Sequence, residues 1–236
     1  MAYTPINKGS LYQNNVLYTG DGSTQAITGV SFQPDLVWIK CRSAAENHRL
    51  FDAVRGVTKY IASNNALVEA TDATTLTAFG ADGFTLSTAH PVNKDTETYA
   101  SWNWLANGAG SLNEVGSIDS TVSVNTTSGF SACKFTGTGS TATIGHGLGV
   151  TPSMIIFKNL DSAVDWRVYH EAIGNTHRLC LNDNSASTDD DSAFNDTSPT
   201  STLFTVGGSS STNGSGHDMI AYCFSEIKGY LLLCLK

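Results

Sequence analysis

Charged side chains are scarce in this chain of 236 residues, at 14% of the total, and basic ones are scarcer than acidic. Thirteen Lys and Arg stand against 21 Asp and Glu, a formal net charge of -8. A nucleic-acid binder gains affinity by neutralising phosphates with Lys and Arg, so that partner class is excluded, and no basic cluster restores it. Cysteine is sparse too. Cys41, Cys133, Cys180, Cys223 and Cys234 are odd in number and far apart, with no CxxC pair, which speaks for free buried thiols over zinc or disulfides. No apolar run approaches the ~20 residues of a membrane helix, so membrane insertion is not expected. The amino terminus lacks a charged-then-apolar leader, which predicts accumulation in a cytoplasm. Segments favouring long helices are also missing. Gly, Ser, Thr and Asn fill the gaps between short apolar runs, the composition of an all-β chain with many turns.

What is present is one stretch used twice. Phe32-Gln-Pro-Asp-Leu-Val-Trp-Ile-Lys-Cys-Arg42 is a turn, a proline and a nearly continuous apolar run closed by basic residues. The shape returns at Val150-Thr-Pro-Ser-Met-Ile-Ile-Phe-Lys-Asn159, with Pro34 and Lys40 echoed by Pro152 and Lys158 at an offset of 118. A short run of this kind is a strand apolar on both faces, hence covered on two sides. The pairing extends outward. Tyr18-Thr-Gly-Asp-Gly-Ser-Thr24 matches Phe135-Thr-Gly-Thr-Gly-Ser-Thr141 at 117, and His48-Arg-Leu-Phe51 matches Trp166-Arg-Val-Tyr169 at 118. Phe84-Thr-Leu86 matches Phe204-Thr-Val206 at 120, and the Ala100 strand is aligned with the Ala221 strand at 121. Such drift is what loop insertions leave in a duplicated unit. The expected fold is therefore all-β, two tandem antiparallel β-sandwich modules of jelly-roll-like kind.

The expected organisation is an N-terminal arm over residues 1–14, a first module over 15–105, a connector over 106–128 and a second module over 129–236. The connector is rich in Gly, Ser and Thr, though Thr121-Val-Ser-Val124 alternates like a short edge strand. Within the first module, Gly20 and Gly22 suit a turn needing positive φ, Val54–Ile61 reads as a strand, and Ala66–Thr77 as a loop or helix-tolerant stretch. Asp82-Gly83 is a hairpin signal. Ala100, Trp102 and Trp104 share one strand face, an aromatic payload for a core or an interface.

Little points to chemistry. There is no GxSxG elbow and no paired glutamate, and His48, His90, His146, His170, His177 and His217 are scattered. His170 and His177 flank an expected turn. No enzyme activity, catalytic residue, cofactor or metal site is expected. Asp189-Asp-Asp191 and Asp196 form an acidic patch that lacks the EF-hand ligand order, so a solvated loop is the preferred reading over calcium. Trp38, Trp102, Trp104 and Trp166 would stack on sugars if exposed, but aromatic residues in strands are core residues first.

Tyr18-Thr-Gly-Asp-Gly-Ser-Thr, Phe32-Gln-Pro-Asp-Leu-Val-Trp-Ile-Lys, Phe51-Asp-Ala-Val-Arg-Gly56 and Tyr99-Ala-Ser-Trp-Asn-Trp resemble a β-rich module of tail-fibre and other virion structural proteins of bacteriophages, many from marine hosts. So does Gly145-His-Gly-Leu-Gly-Val-Thr-Pro-Ser-Met-Ile-Ile-Phe-Lys-Asn with Trp166-Arg-Val-Tyr-His170. The resemblance implies a virion structural protein, foremost a tail fibre or receptor-contacting component, assembled in the host cytoplasm and placed on the tail or capsid surface. Capsid decoration or a head fibre, and a lectin-like glycan-binding module, are the alternatives. Expected partners are further copies of itself, a trimer being favoured, other virion proteins through the N-terminal arm or C-terminal tail, and a host surface glycan.

The chain ends in Leu231-Leu-Leu-Cys-Leu-Lys236. Full burial of a leucine is worth roughly 1.5 to 3 kcal/mol, so Leu231, Leu232, Leu233 and Leu235 are expected to sit in an oligomer interface. Deleting residues 231–236 should weaken assembly more than it lowers the melting temperature of the chain. Sedimentation and thermal scans on the same deletion check this, and an unchanged oligomer mass would refute it.

Overall fold

The computed structural model describes residues 6–230, so the expected interface at Leu231, Leu232, Leu233 and Leu235 lies outside the described residues. Strands make up 41% of the structure and helix 7%, and the sheets are antiparallel, which places the chain in the all-β class. Two units can be separated. The first holds Lys8–Asn64 and Glu69–Ala109. The second takes in, among the described residues, the start of the chain to Asn7, the segment Asn65–Val68 and everything from Gly110.

In chain order the first unit carries β1 (Gln13–Thr19), β2 (Gln25–Thr28), β3 (Leu36–Cys41), β4 (Arg49–Asp52), β5 (Lys59–Tyr60), β6 (Ala70–Thr71), β7 (Leu76–Gly80), β8 (Gly83–Leu86), a helical turn α1 (His90–Asn93) and β9 (Thr98–Trp104). Its main sheet runs β1-β9-β3-β4, a second sheet runs β2-β8-β7, and β5 pairs with β6. The Asp82-Gly83 turn does join the β7–β8 hairpin. Val37, Ile39 and Cys41 from β3, Phe51 from β4 and Tyr99 from β9 meet Ile27, Leu76, Phe84 and Leu86 of the second sheet in one core. Each comes from alternate positions of its strand, the period of two that sends neighbouring side chains to opposite faces.

The second unit carries β10 (Ser111–Asn113), β11 (Ser120–Asn125), β12 (Phe130–Thr136), β13 (Ala142–Gly145), β14 (Met154–Asn159), β15 (Arg167–His170), β16 (His177–Cys180), β17 (Thr188–Asp189), α2 (Asp191–Phe194), β18 (Leu203–Val206), α3 (Ser210–Asn213) and β19 (Asp218–Phe224). Its main sheet runs β10-β11-β12-β19-β14-β15-β16-β17, and β13 pairs with β18. Phe204 of β18 meets Phe135 and Phe157 of the main sheet at ring separations of 6.1 and 5.4 Å.

Several expectations need correction. Residues 106–128 are not a bare connector, because β10 and β11 lie there and β11 pairs with β12 from Ser120↔Phe135 to Asn125↔Phe130. The alternation of Thr121-Val-Ser-Val124 buries Val122 in the core, so β11 is an inner strand and β10 the edge. The arm ends sooner than residue 14, since β1 pairs from Gln13↔Trp104. Val54–Ile61 is mostly a turn. Arg55 is drawn inward, its Nε donating to Asp52 Oδ2 at 2.5 Å and its Nη2 to Leu50 O at 2.9 Å, and the chain bends there at Gly56 and Thr58, both at positive φ. Ala66–Thr77 supplies β6 and the start of β7 instead of helix. Cys41, Cys133 and Cys223 are buried free thiols, whereas Cys180 is only half-buried.

The register also moves one alignment. Leu36 pairs with Trp104 and Met154 with Phe224, so β9 and β19 correspond at 120, with Trp102 opposite Trp38 and Tyr222 opposite Ile156. The offset of 121 that set Ala100 against Ala221 is one too many: the bulky faces of the two strands then coincide.

Gly20 does not have the positive φ expected of it; a Cβ there would come within 2.3 Å of Lys94 O, and one on Gly137 within 2.3 Å of Gly214 O. What brings the chain so close is a buried asparagine. Asn93 Oδ1 accepts the Asp21 amide at 3.1 Å while Nδ2 donates to Ser23 O and Ser87 O at 2.6 and 2.9 Å. Asn213 Oδ1 accepts the Thr138 amide at 2.8 Å while Nδ2 donates to Ser140 O and Gly207 O at 2.6 and 2.9 Å. A buried backbone group left unpaired costs ~1 to 3 kcal/mol, so Asn93→Ala and Asn213→Ala should each lower stability by about 3 kcal/mol. Urea unfolding of the two variants measures it, and a loss below about 1 kcal/mol in both would show the clamps to be dispensable.

Candidate functional site

β3 and β9 build a surface from their outer positions. With Val37 and Ile39 turned to the core, Trp38 points outward; with Tyr99, Ser101 and Asn103 buried, Trp102 and Trp104 do the same. Register places Trp38 directly opposite Trp102. Their rings meet edge to face at 6.4 Å, and Trp38 meets His48, just before β4, at 5.9 Å. Together Trp38, His48, Trp102 and Trp104 line a cleft of about 290 Å³. The three tryptophans are half-buried, and on the adjacent β1 Leu17, paired with Ala100, is 66% exposed.

The chemistry of the cleft is aromatic and nearly uncharged. Trp38 Nε1 donates to His48 Nδ1 at 2.8 Å, which sets the imidazole in the tautomer with its proton on Nε2. Burial, helped by the Lys40 ammonium, holds His48 below its ordinary value, so it is neutral at pH 7. Lys40 Nζ itself donates to Glu46 O at 2.6 Å. Of the four lining residues only His48 titrates. Flat aromatic faces beside N–H donors bind planar or apolar groups.

The same sheet face in the second unit is closed. Ile156, Trp166, Tyr222 and Phe224 stand at the positions of Trp38, His48, Trp102 and Trp104, and their exposures are 7, 0, 1 and 7%. Trp166 Nε1 donates to Asn65 O at 3.1 Å. Lys158, fully buried, donates through Nζ to Val164 O, Ala66 O and Ser162 O at 3.0, 3.3 and 3.4 Å. Burial pulls its ammonium down to about 8, against the opposing pull of Asp165, so it stays mostly charged at pH 7.

The remaining polar candidates lie in separate places. His170 Nδ1 accepts the Ala172 amide at 3.1 Å, and His177 Nδ1 lies 2.8 Å from Thr176 Oγ1. His146 is buried, its Nδ1 accepting the Leu148 amide at 3.2 Å and its Nε2 3.2 Å from Thr200 O. The Asp189–Asp191 patch is split up: Asp189 belongs to β17, Asp190 pairs with Arg178 at 3.1 Å, and Asp191 opens α2. Asp165, Cys180 and Asp183 do come within reach of a common ion. Yet Arg167 and Arg178 each place Nη1 3.0 Å from Cys180 Sγ, and burial keeps that thiol protonated, a poor ligand set for a cation.

Sequence reasoning weighed Trp38, Trp102 and Trp104 as core and named sugar stacking as the exposed case. It did not single out His48. The signal was there in the alternation: Val37 with Ile39, and Tyr99 with Ser101 and Asn103, already supply an inward face, which leaves the tryptophans the outward one.

These features define an all-β protein with an aromatic surface cleft. The chain belongs to the family of domains of unknown function DUF7483, whose model matches residues 8–233 and so spans both units together. No curated protein and no solved structure matches it.

The His48 interaction is sensitive to acid. Because burial holds the folded value below the ordinary imidazole value of 6.5, the Trp38–His48 bond is fully present above about pH 6.5 and is lost as the pH falls through the folded value, where Nδ1 takes a proton. The indole N–H resonance of Trp38 should hold steady from pH 8 to 6.5 and shift below it. A transition centred above 6.5, or one that persists in His48→Ala, would contradict the assignment.

Proposed function

We propose that this protein is a non-catalytic structural component of a bacteriophage particle, a tail fibre or other receptor-contacting surface protein that assembles with copies of itself. The observation that carries the reading is the open face of Trp38, Trp102 and Trp104, an aromatic sheet surface of the kind that soluble chains cover in assemblies. The resemblance of its β-rich segments to phage fibre modules supplies the particle. A position on the capsid, as a decoration protein or head fibre, is the alternative within the same class.

The two units are proposed to descend from one duplicated β-sandwich of jelly-roll-like kind. In support, β1-β9-β3-β4 and β12-β19-β14-β15 have the same order and register. The Asn93 and Asn213 clamps agree partner by partner, and Lys40 and Lys158 each donate to the carbonyl six residues on.

The cleft also has the lining that stacks on sugar rings, which favours a host surface glycan as a second reading. An antibody against the chain, applied to purified phage particles and to the soluble fraction of the same lysate, tests the leading one. Label on the particles is expected. Finding the chain only in the soluble fraction would end the virion reading, and glycan-array binding abolished by Trp102→Ala would move the cleft to the second.

A further inference from the structure

The second unit displays what closes this sheet face. Where Ile156, Trp166, Tyr222 and Phe224 are buried, the segment Asn65–Val68 lies within the same unit and is held by Trp166 Nε1 on Asn65 O and Lys158 Nζ on Ala66 O. Both bonds take backbone carbonyls. They read the path of the segment and are indifferent to its side chains.

The register identifies a twin of that segment. β5 and β6, which flank Asn65–Val68 in the chain, pair through Lys59↔Thr71; β16 and β17 pair through His177↔Asp189, both residues 118 further on. The residue before each loop plays the same part: Asn64 Oδ1 accepts the amide of His48 at 3.1 Å, and Asn182 Oδ1 accepts the amide of Trp166 at 2.9 Å. The twin is therefore Asp183–Ala186, and all four of its residues are exposed. Among the described residues the chain thus holds one face of this type that is covered, one that is open, and a second loop of the covering kind that is exposed.

We propose that Asp183–Ala186 of one copy seats on the tryptophan cleft of another, as Asn65–Val68 seats on Trp166 and Lys158. This rests on the self-assembling reading above and names its interface. Lys40, at the position of Lys158, donates to the Asn184 carbonyl in the place of Ala66. The Asp183 carboxylate, held below its usual range by the Ser185 amide, is drawn to the Lys40 ammonium and the Nε2 proton of His48. Loop and cleft are separate sites, so the contact closes either as a two-fold dimer in which each copy gives its loop to the other or, head to tail, as a larger ring.

The test is complementation between two full-length variants, each first checked for an unchanged melting temperature. Trp102→Glu spoils the cleft and keeps the loop; Asp183→Lys with Asn184→Trp spoils the loop and keeps the cleft. In sedimentation velocity the unsubstituted chain should self-associate, and each variant alone should do so about tenfold more weakly or less, the effect of removing an interface anchor. Mixed in equal amounts, the two should form dimers and stop there, because only one loop and one cleft remain between them. Variants that associate as the unsubstituted chain does would overturn this interface and leave self-assembly standing. An unsubstituted chain that stays monomeric would overturn both. If either variant melts early, chemical cross-linking between Lys40→Cys and Asn184→Cys chains in a Cys180→Ser background decides: cross-linked pairs in the mixture alone support the contact, and their absence refutes it.

Discussion

The constraint on which this structure depends is the need to cover both faces of β3 and β14. Each central strand turns Val37, Ile39 or Ile155, Phe157 to a core shared with the smaller sheet, and each still carries large apolar groups on the other side. Burying one such side chain is worth roughly 1.5 to 3 kcal/mol, enough that a protein of ordinary stability does not leave a row of them in water without cause. In the second unit that outer face is closed over Ile156, Tyr222 and Phe224. In the first it is an open cleft, and the surface chemistry of the protein is a consequence of that difference.

Buried polar groups carry much of the rest of the design, and the largest hydrogen-bonding centres among them are satisfied by backbone more than by other side chains. Asn93 and Asn213 clamp three segments apiece, and Lys158 sits among three carbonyls. Arg55 is the exception: it is shared between Asp52 at 2.5 Å and Glu69 at 3.0 Å, an ion network with no counterpart at Ile173. Networks of this kind bring more specificity than stability, since desolvating the charges offsets much of their attraction. Here the network accounts for a turn where the apolar pattern of Val54–Ile61 suggested a strand.

Much of the site was legible without being read as one. Every residue of the cleft lies in or beside a strand that pattern identified, whereas the pairing of Trp38 with Trp102 is set by the hydrogen bonds between β3 and β9. Burial was the missing quantity. Trp166 and Trp102 are equally apolar, yet one has no exposed surface and the other helps line a cleft, because Trp166 has a carbonyl and a segment over it. No property of a tryptophan in a strand distinguishes those cases. The misaligned Ala100 and Ala221 show the same limit, since a one-residue slip is invisible until hydrogen bonds set the register.

The amino-acid sequence by itself determined the all-β class, the positions of most strands, and the repeated spacing of Pro34 with Lys40 and Pro152 with Lys158. These are local properties, carried by period-two alternation, turn residues and composition. Only the tertiary structure decided that β10 and β11 extend the second sheet, that Arg55 bends the chain back, and that one aromatic face is covered while its equivalent is open. The physical reason is that cover is supplied by segments distant in sequence, as Asn65 lies over Trp166, and alternation along a strand records which way a side chain points but not what meets it there.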